Sequence, residues 1–100
     1  MNFIEIDPED FKVKQATSDI YLIDVRESYE FEDTNIGGVN IPMGEILSRT
    51  DELENKTEIC LCCASGKRSK TVAYHLALTL ENTRIYSLNG GITNYSEKKL

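Results

Sequence analysis

Apolar and polar positions alternate between two periods along this chain. Phe3-Ile4-Glu5-Ile6 reads as a short strand, and Asp7-Pro8-Glu9-Asp10 supplies a helix cap, a proline suited to the first helical position and acids for the first turn. A helix over 8–15 is predicted. Tyr21-Leu22-Ile23-Asp24-Val25 is a nearly continuous apolar run of strand length, the pattern of a parallel strand buried on both faces, and it ends in charge at Arg26 and Glu27. Residues 28–32 read as a short helix. Asn35-Ile36-Gly37-Gly38 is a turn signal before the extended piece Val39-Asn40-Ile41-Pro42, and 43–47 predicts one further helical turn. Glu58-Ile59-Cys60-Leu61-Cys62 is the next buried strand. The run that follows spaces Val72, Ala73, Leu76, Ala77 and Leu80 as one apolar helical stripe, which is core packing. Arg84-Ile85-Tyr86-Ser87-Leu88 predicts another strand, Asn89-Gly90-Gly91 closes it, and a last amphipathic helix is expected over 92–98. Strands and helices thus alternate throughout, with no internal repeat, linker or low-complexity segment. This order predicts an α/β fold: a mainly parallel central sheet with helices on both faces, joined by right-handed crossovers.

Composition narrows the class. One hundred residues with 40% hydrophobic content make one domain with one core, over 1–100, and are too few for two. A formal net charge of −6 argues against nucleic acid or an anionic membrane surface as partner. The first residues lack a basic n-region, and nowhere do about 18 apolar residues run together, so the expected address is the cytoplasm. Cys60, Cys62 and Cys63 lie within four positions and cannot staple distant parts of the chain, which fits a reducing compartment. Those thiols and the only histidine, His75, could supply four zinc ligands. Their spacing argues against it: Cys60 and Cys62 share one strand face, Cys63 turns away, and His75 falls well inside the next helix. The expectation is no metal and no cofactor.

The candidate chemistry lies between the second long strand and the long helix, in Cys63-Ala64-Ser65-Gly66-Lys67-Arg68-Ser69. A thiol in a tight loop before a helix start faces backbone N–H groups and the positive end of the helix dipole, which favour its thiolate, as do the nearby Lys67 and Arg68. Ligands of parallel sheets collect beyond the carboxyl ends of the strands, so this loop and Asp24-Val25-Arg26-Glu27 are expected to border one pocket. Ser65 and Ser69 read as loop and helix-capping residues, and Gly66 as the residue permitting an unusual backbone angle. Arg68 is read as a fork that hydrogen-bonds inward and holds the loop, with Lys67 attracting an anionic donor or an acidic partner. His75, two turns into the helix, reads as packing or surface. Cys60 and Cys62 read as small apolar strand residues, with a strained vicinal Cys62–Cys63 disulfide as an oxidative off-switch in the minority alternative.

At these residues the chain resembles the rhodanese-like domain family of sulfurtransferases, over nearly its whole length. Asp24-Val25-Arg26-Glu27 followed by Tyr29-Glu30-Phe31 is similar to the first family motif, and Ile36-Gly37-Gly38-Val39-Asn40-Ile41-Pro42 to the second. Cys63 to Ser69 is similar to the active-site loop, and Leu88-Asn89-Gly90-Gly91-Ile92 to the closing Gly-Gly motif. The resemblance implies that Cys63 is a nucleophile that carries sulfane sulfur as a persulfide. It also implies a donor such as thiosulfate or a protein persulfide, and cyanide, a thiol or a protein as acceptor. Asn35 stands where the family often has histidine, Tyr95 where it often has tryptophan, and Ala64 where it often has arginine; the last removes a cation that would recruit thiosulfate. Arg26 and Glu30, four apart, are either a solvated ion pair or, as family positions with Asp24, supports of the pocket rim. The stretch from Asn35 through Pro42-Met43-Gly44-Glu45-Ile46 further resembles rhodanese-like domains fused to adenylyltransferases of ubiquitin-like sulfur carriers, which implies a protein acceptor. Cysteine phosphatases related to this fold place five residues between cysteine and arginine. Here there are four, Ala64 to Lys67, which predicts a sulfur-sized site and negligible phosphatase activity. Two further readings are a catalytically idle interaction module of the same family and a thiol redox sensor built on Cys62 and Cys63.

Overall fold

The computed structural model of the chain describes residues 2–97. Its strands are β1 (Ile4–Ile6), β2 (Tyr21–Asp24), β3 (Val39–Asn40), β4 (Glu58–Cys62) and β5 (Arg84–Leu88). They alternate with helices α1 (Pro8–Thr17), α2 (Ser28–Asp33), α3 (Met43–Ile46), α4 (Lys67–Thr79) and α5 (Gly91–Glu97). All pairings are parallel, in the order β1-β5-β4-β2-β3. The result is the single α/β domain that the alternating pattern predicts.

β4 shows how sequence builds the two faces. Successive strand residues point to opposite sides, so Ile59 and Leu61 enter one apolar cluster while Cys60 and Cys62 enter the other. On the first face the α4 stripe of Val72, Ala73 and Leu76 packs with Leu80, Ile46 and Leu53 against Ile23 and Ile59. On the second, Phe11 of α1 and Ile92 of α5 cover Cys60, Cys62 and Leu88. Each such fully buried aliphatic or aromatic side chain contributes on the order of 1.5–3 kcal/mol relative to exposure.

Several boundaries differ from the pattern. α1 runs two residues past position 15 and is closed by Ser18, whose N–H and hydroxyl both donate to the Lys14 carbonyl, at 2.8 and 2.9 Å. Asp7 occupies the cap position but its side chain makes no capping hydrogen bond. Its carboxylate accepts instead from the Asn89 amide at 2.9 Å, tying the start of α1 to the turn after β5. A 3-10 turn over Thr50–Glu52 falls in a stretch where the pattern predicts no element. Position 98, the expected end of the last helix, lies outside the described residues.

The strand order positions the chemistry. From β2 the chain moves outward to β3, and from β4 it moves the other way to β5, so the segments after these two neighbouring strands diverge. A crevice opens beyond the carboxyl ends of the strands where such a sheet changes direction. Val25 to Glu27 and Cys63 to Gly66 begin there.

Candidate active site

Cys63 is the first residue after β4. Only 1% of its surface is exposed. Gly66 turns the chain with φ 97°, a left-handed conformation that favours glycine, and this sends the helix off with its first amides facing back toward the thiol. The Gly66 N–H donates to Cys63 Sγ at 3.1 Å and the Ser69 N–H at 3.3 Å. The Ser69 hydroxyl lies 3.6 Å from the same sulfur. Two backbone donors and the amino end of a 13-residue helix therefore converge on one sulfur, an arrangement that solvates negative charge placed on it.

Ser69 is not the helix cap the sequence suggests. α4 begins at Lys67 with Gly66 in the cap position, so Ser69 is already a full turn member, and its hydroxyl is buried against Gly66 O at 3.2 Å and Ser87 Oγ at 2.8 Å. Ser65 and Lys67 are exposed and Ala64 is half-buried. Lys67 pairs with no carboxylate among the described residues.

Arg68 is a fork, but its partner is a side chain of another element. Its two terminal nitrogens donate to the two carboxylate oxygens of Glu30, at 2.8 and 3.1 Å, so the start of α4 is tied to α2. This fork first, and then the Glu27 N–H, hold the Glu30 carboxyl down to about 2. Arg26 and Glu30 consequently do not form the ion pair their spacing permits. Arg26 precedes α2 and folds back, buried, onto Asp24: Nε and Nη2 bond the carboxylate at 2.9–3.1 Å, and Nη2 reaches the Thr34 carbonyl at 2.7 Å. Asp24 is fully buried and also accepts from the Arg26 N–H at 3.0 Å. Asp24 and Arg26 thus brace the turn after β2, while Glu30 carries the connection to the cysteine loop. The two strand ends meet through Glu30 and Arg68.

Other expected residues lie elsewhere. A cavity of about 550 Å³ is found at the opposite, amino-terminal edge of the sheet, lined by Ser18, Glu58, Glu81 and Arg84 among others, and none of the site residues lines it. His75 is exposed on α4, edge-on to Tyr74. Cys60 and Cys62 are free thiols buried in the second cluster, and burial pushes both thiols up. Asn35 bonds the Phe31 carbonyl and the Gly37 N–H, both at 2.9 Å, so it shapes the turn after α2. Tyr95 packs edge-on against Phe11.

Three supports escape a reading of the sequence. The Ile92 and Thr93 N–H groups, at the start of α5, donate to the carbonyls of Cys63 and Ala64 at 2.9 and 3.1 Å. The Asn40 side chain donates to the carbonyls of Asp24 and Arg26 at 3.0 and 2.9 Å. Ser87 backs Ser69. The available signals were the Gly-Gly string ahead of Ile92 and the hydroxyl of Ser87 within an otherwise apolar buried strand.

A cysteine loop at the switch point of a small parallel sheet, clamped from α2 and α5, defines an α/β module built around one thiol. The family model described as Rhodanese-like domain matches residues 7–98, and the chain belongs to this family. It is 42% identical over 71 residues to YrkF of Bacillus subtilis strain 168, provisionally named a sulfur carrier protein; the match takes in 69% of this chain and 38% of that protein, so the chain spans well under half of that relative. It is 37% identical over 78 residues to YtwF of the same organism, provisionally named a sulfurtransferase, with 76% of each chain matched. A rhodanese-related protein of Thermoplasma volcanium shares the fold with a TM-score of 0.81 and 25% identity, covering 96% of this chain and 93% of that one. Family membership and these names support a sulfur-transfer role in general terms.

Proposed function

We propose that this protein is a sulfurtransferase or sulfur carrier in which Cys63 takes up sulfane sulfur as a persulfide and passes it to a thiophilic acceptor. The observation that carries this reading is the pair of N–H groups, from Gly66 and Ser69, aimed at Cys63 Sγ. The Cys63 thiolate attacks the outer sulfur of the donor. A new S–S bond forms, the donor's own bond to that sulfur breaks, and its electron pair leaves with the remaining half, which is sulfite when the donor is thiosulfate. The anionic persulfide is then held by donors already in place, with no rearrangement of the loop. An acceptor nucleophile attacks the outer sulfur, and the Cys63 thiolate leaves; with cyanide the product is thiocyanate. The chemistry is that of thiol–disulfide exchange with sulfur as cargo.

The donor follows from the cations. Ala64 offers none, and Arg68 is committed to the Glu30 carboxylate, which leaves Lys67 as the exposed cation of the loop. A free dianion such as thiosulfate is weakly recruited by this arrangement, and a persulfide delivered by a docked protein needs less charge at the site. The acceptor is a thiol or a protein, and nucleic acid is disfavoured by the net charge of −6.

The test is cyanolysis at saturating thiosulfate, read as thiocyanate formed. Slow turnover that disappears in Cys63→Ala supports the proposal. Turnover that survives in Cys63→Ala refutes Cys63 as the nucleophile.

A further inference from the structure

The buried hydroxyls beside the thiol form a chain: Ser87 Oγ lies 2.8 Å from Ser69 Oγ, and Ser69 Oγ lies 3.6 Å from Cys63 Sγ. Ser69 is fully buried and Ser87 is 1% exposed, next to the carboxyl end of β5 among buried neighbours, so neither can turn to water for a partner. A buried hydroxyl without a partner is costly, and the bonding capacity of each is therefore accounted for within the protein.

The direction of the chain follows from counting protons. Ser87 Oγ has one side-chain partner among the described residues, Ser69 Oγ. Ser69 has a single O–H, and the Gly66 carbonyl at 3.2 Å is within its reach. All three groups are satisfied when Ser87 donates to Ser69 and Ser69 donates onward. The Gly66 carbonyl already accepts the Lys70 N–H at 3.1 Å, so it does not depend on the Ser69 proton. That proton is consequently free to swing from Gly66 O to the sulfur.

The geometry points to Ser87 as a positioning residue: by donating to Ser69 Oγ, it fixes that hydroxyl as a third donor to an anionic sulfur at Cys63, beside the Gly66 and Ser69 amides. With a neutral Cys63 the S–H bond points at Ser69 Oγ. When the thiol loses its proton to a base in solution, the Ser69 O–H turns to the sulfur, and Ser87 keeps the oxygen it leaves behind supplied with a donor. In this step only the Cys63 S–H bond breaks, its proton going to the base in solution and its electron pair staying on the sulfur, while the O–H bonds of Ser69 and Ser87 stay intact. Two hydroxyls in series polarise one another, which strengthens the terminal bond. Ser87 thus acts on the sulfur entirely through Ser69. The inference rests on the reading of Cys63 as the reactive thiol.

Alkylation of Cys63 by iodoacetamide, mapped by mass and corrected with Cys63→Ala as blank, reads this chain without requiring any sulfur donor. The titratable neighbours acting on Cys63, Arg68 and Cys62, are left unchanged in every variant. Ser87→Ala is expected to slow alkylation at neutral pH about fivefold and to move the midpoint of its pH profile upward, the size of effect that loss of one hydrogen bond produces. In a Ser69→Ala background, the further change Ser87→Ala is expected to have no effect, because its only route to the sulfur is gone. Equal effects of Ser87→Ala in both backgrounds would overturn the inference, as would an unaltered pH profile. Should Ser87→Ala lose its cooperative unfolding transition, Ser69→Ala alone decides: it must slow alkylation and shift the profile, and a wild-type profile refutes the chain. Sulfur uptake by the wild type is weighed in parallel. Absence of uptake with the alkylation pattern intact would remove the sulfur-transfer reading and leave the role of Ser87 standing.

Discussion

Gly91 packs against Cys63 so closely that a Cβ at position 91 would collide with the carbonyl oxygens of Cys63 and Ala64, the second at 2.5 Å. The contact allows the Ile92 and Thr93 amides to bond those same carbonyls. The cysteine loop is therefore held from behind by the first turn of α5. Gly91 also has φ 65°, so any side chain there adds backbone strain to the clash. Gly91→Ala should lose at least about 2 kcal/mol in urea denaturation and lower sulfur-transfer activity together. Gly44→Ala is the control: it lies within α3, a Cβ there meets nothing within 4 Å, and it should gain about 0.5–1 kcal/mol. Wild-type stability in Gly91→Ala would contradict the clamp.

Glu30 and Arg68 give the site a pH signature. The folded-state carboxyl of Glu30 is held at about 2 by Arg68, below its ordinary value of 4.5. A depressed carboxyl contributes stability above the unfolded-state value and loses it as pH falls through the folded one. The urea-midpoint difference between wild type and Glu30→Gln should be constant above about pH 5 and shrink toward pH 2. Both partners keep some solvent contact, so the difference should be about 1 kcal/mol at most. A difference that grows on acidification would contradict the pairing.

Asp24 and Arg26 behave differently because they are buried. Removing one partner leaves the other as a charge without compensation, at a cost of about 3–5 kcal/mol. Asp24→Ala should therefore remove a large share of the about 5–15 kcal/mol that holds a domain together and shift its urea midpoint strongly downward. Circular dichroism against urea measures this directly, and a loss under about 1 kcal/mol would show that Thr34 O alone suffices for Arg26.

The contrast between these pairs explains what the sequence discloses. β2, β4 and β5 are nearly continuous apolar runs, and their bounds match the pattern to within a residue. Placing Cys63 beside a helix start required only adjacency along the chain. Partnerships were harder. Spacing rules rank the Arg26–Glu30 pair because the residues are four apart, yet Glu30 takes a partner 38 residues away and Arg26 one only two away. Asp7 satisfies the rule for a cap and spends its carboxylate on Asn89, 82 residues distant. Ser69 sits one turn deeper in α4 than a cap does, because Gly66 starts the helix early. For Glu30 and Asp7 a contact between segments that the fold brings together outweighs the local preference, and no local rule contains that information; for Arg26 and Ser69 one local arrangement displaces another.

Cys62 and Cys63 are adjacent in sequence but belong to clusters on opposite sides of the sheet. Joining them would require one side chain to cross β4, so oxidation should modify Cys63 alone. Mild peroxide should give the same intact-mass product in wild type and Cys62→Ser. A loss of two hydrogens present only in wild type would establish the vicinal disulfide instead.

The most direct measurement weighs the intact protein after exposure to excess thiosulfate and, separately, to inorganic polysulfide. The protein should gain one sulfur atom with at least one of these donors, more readily with polysulfide, and the gain should be removed by cyanide and absent in Cys63→Ala. No gain with either donor, or a gain of the same size in Cys63→Ala, would contradict it.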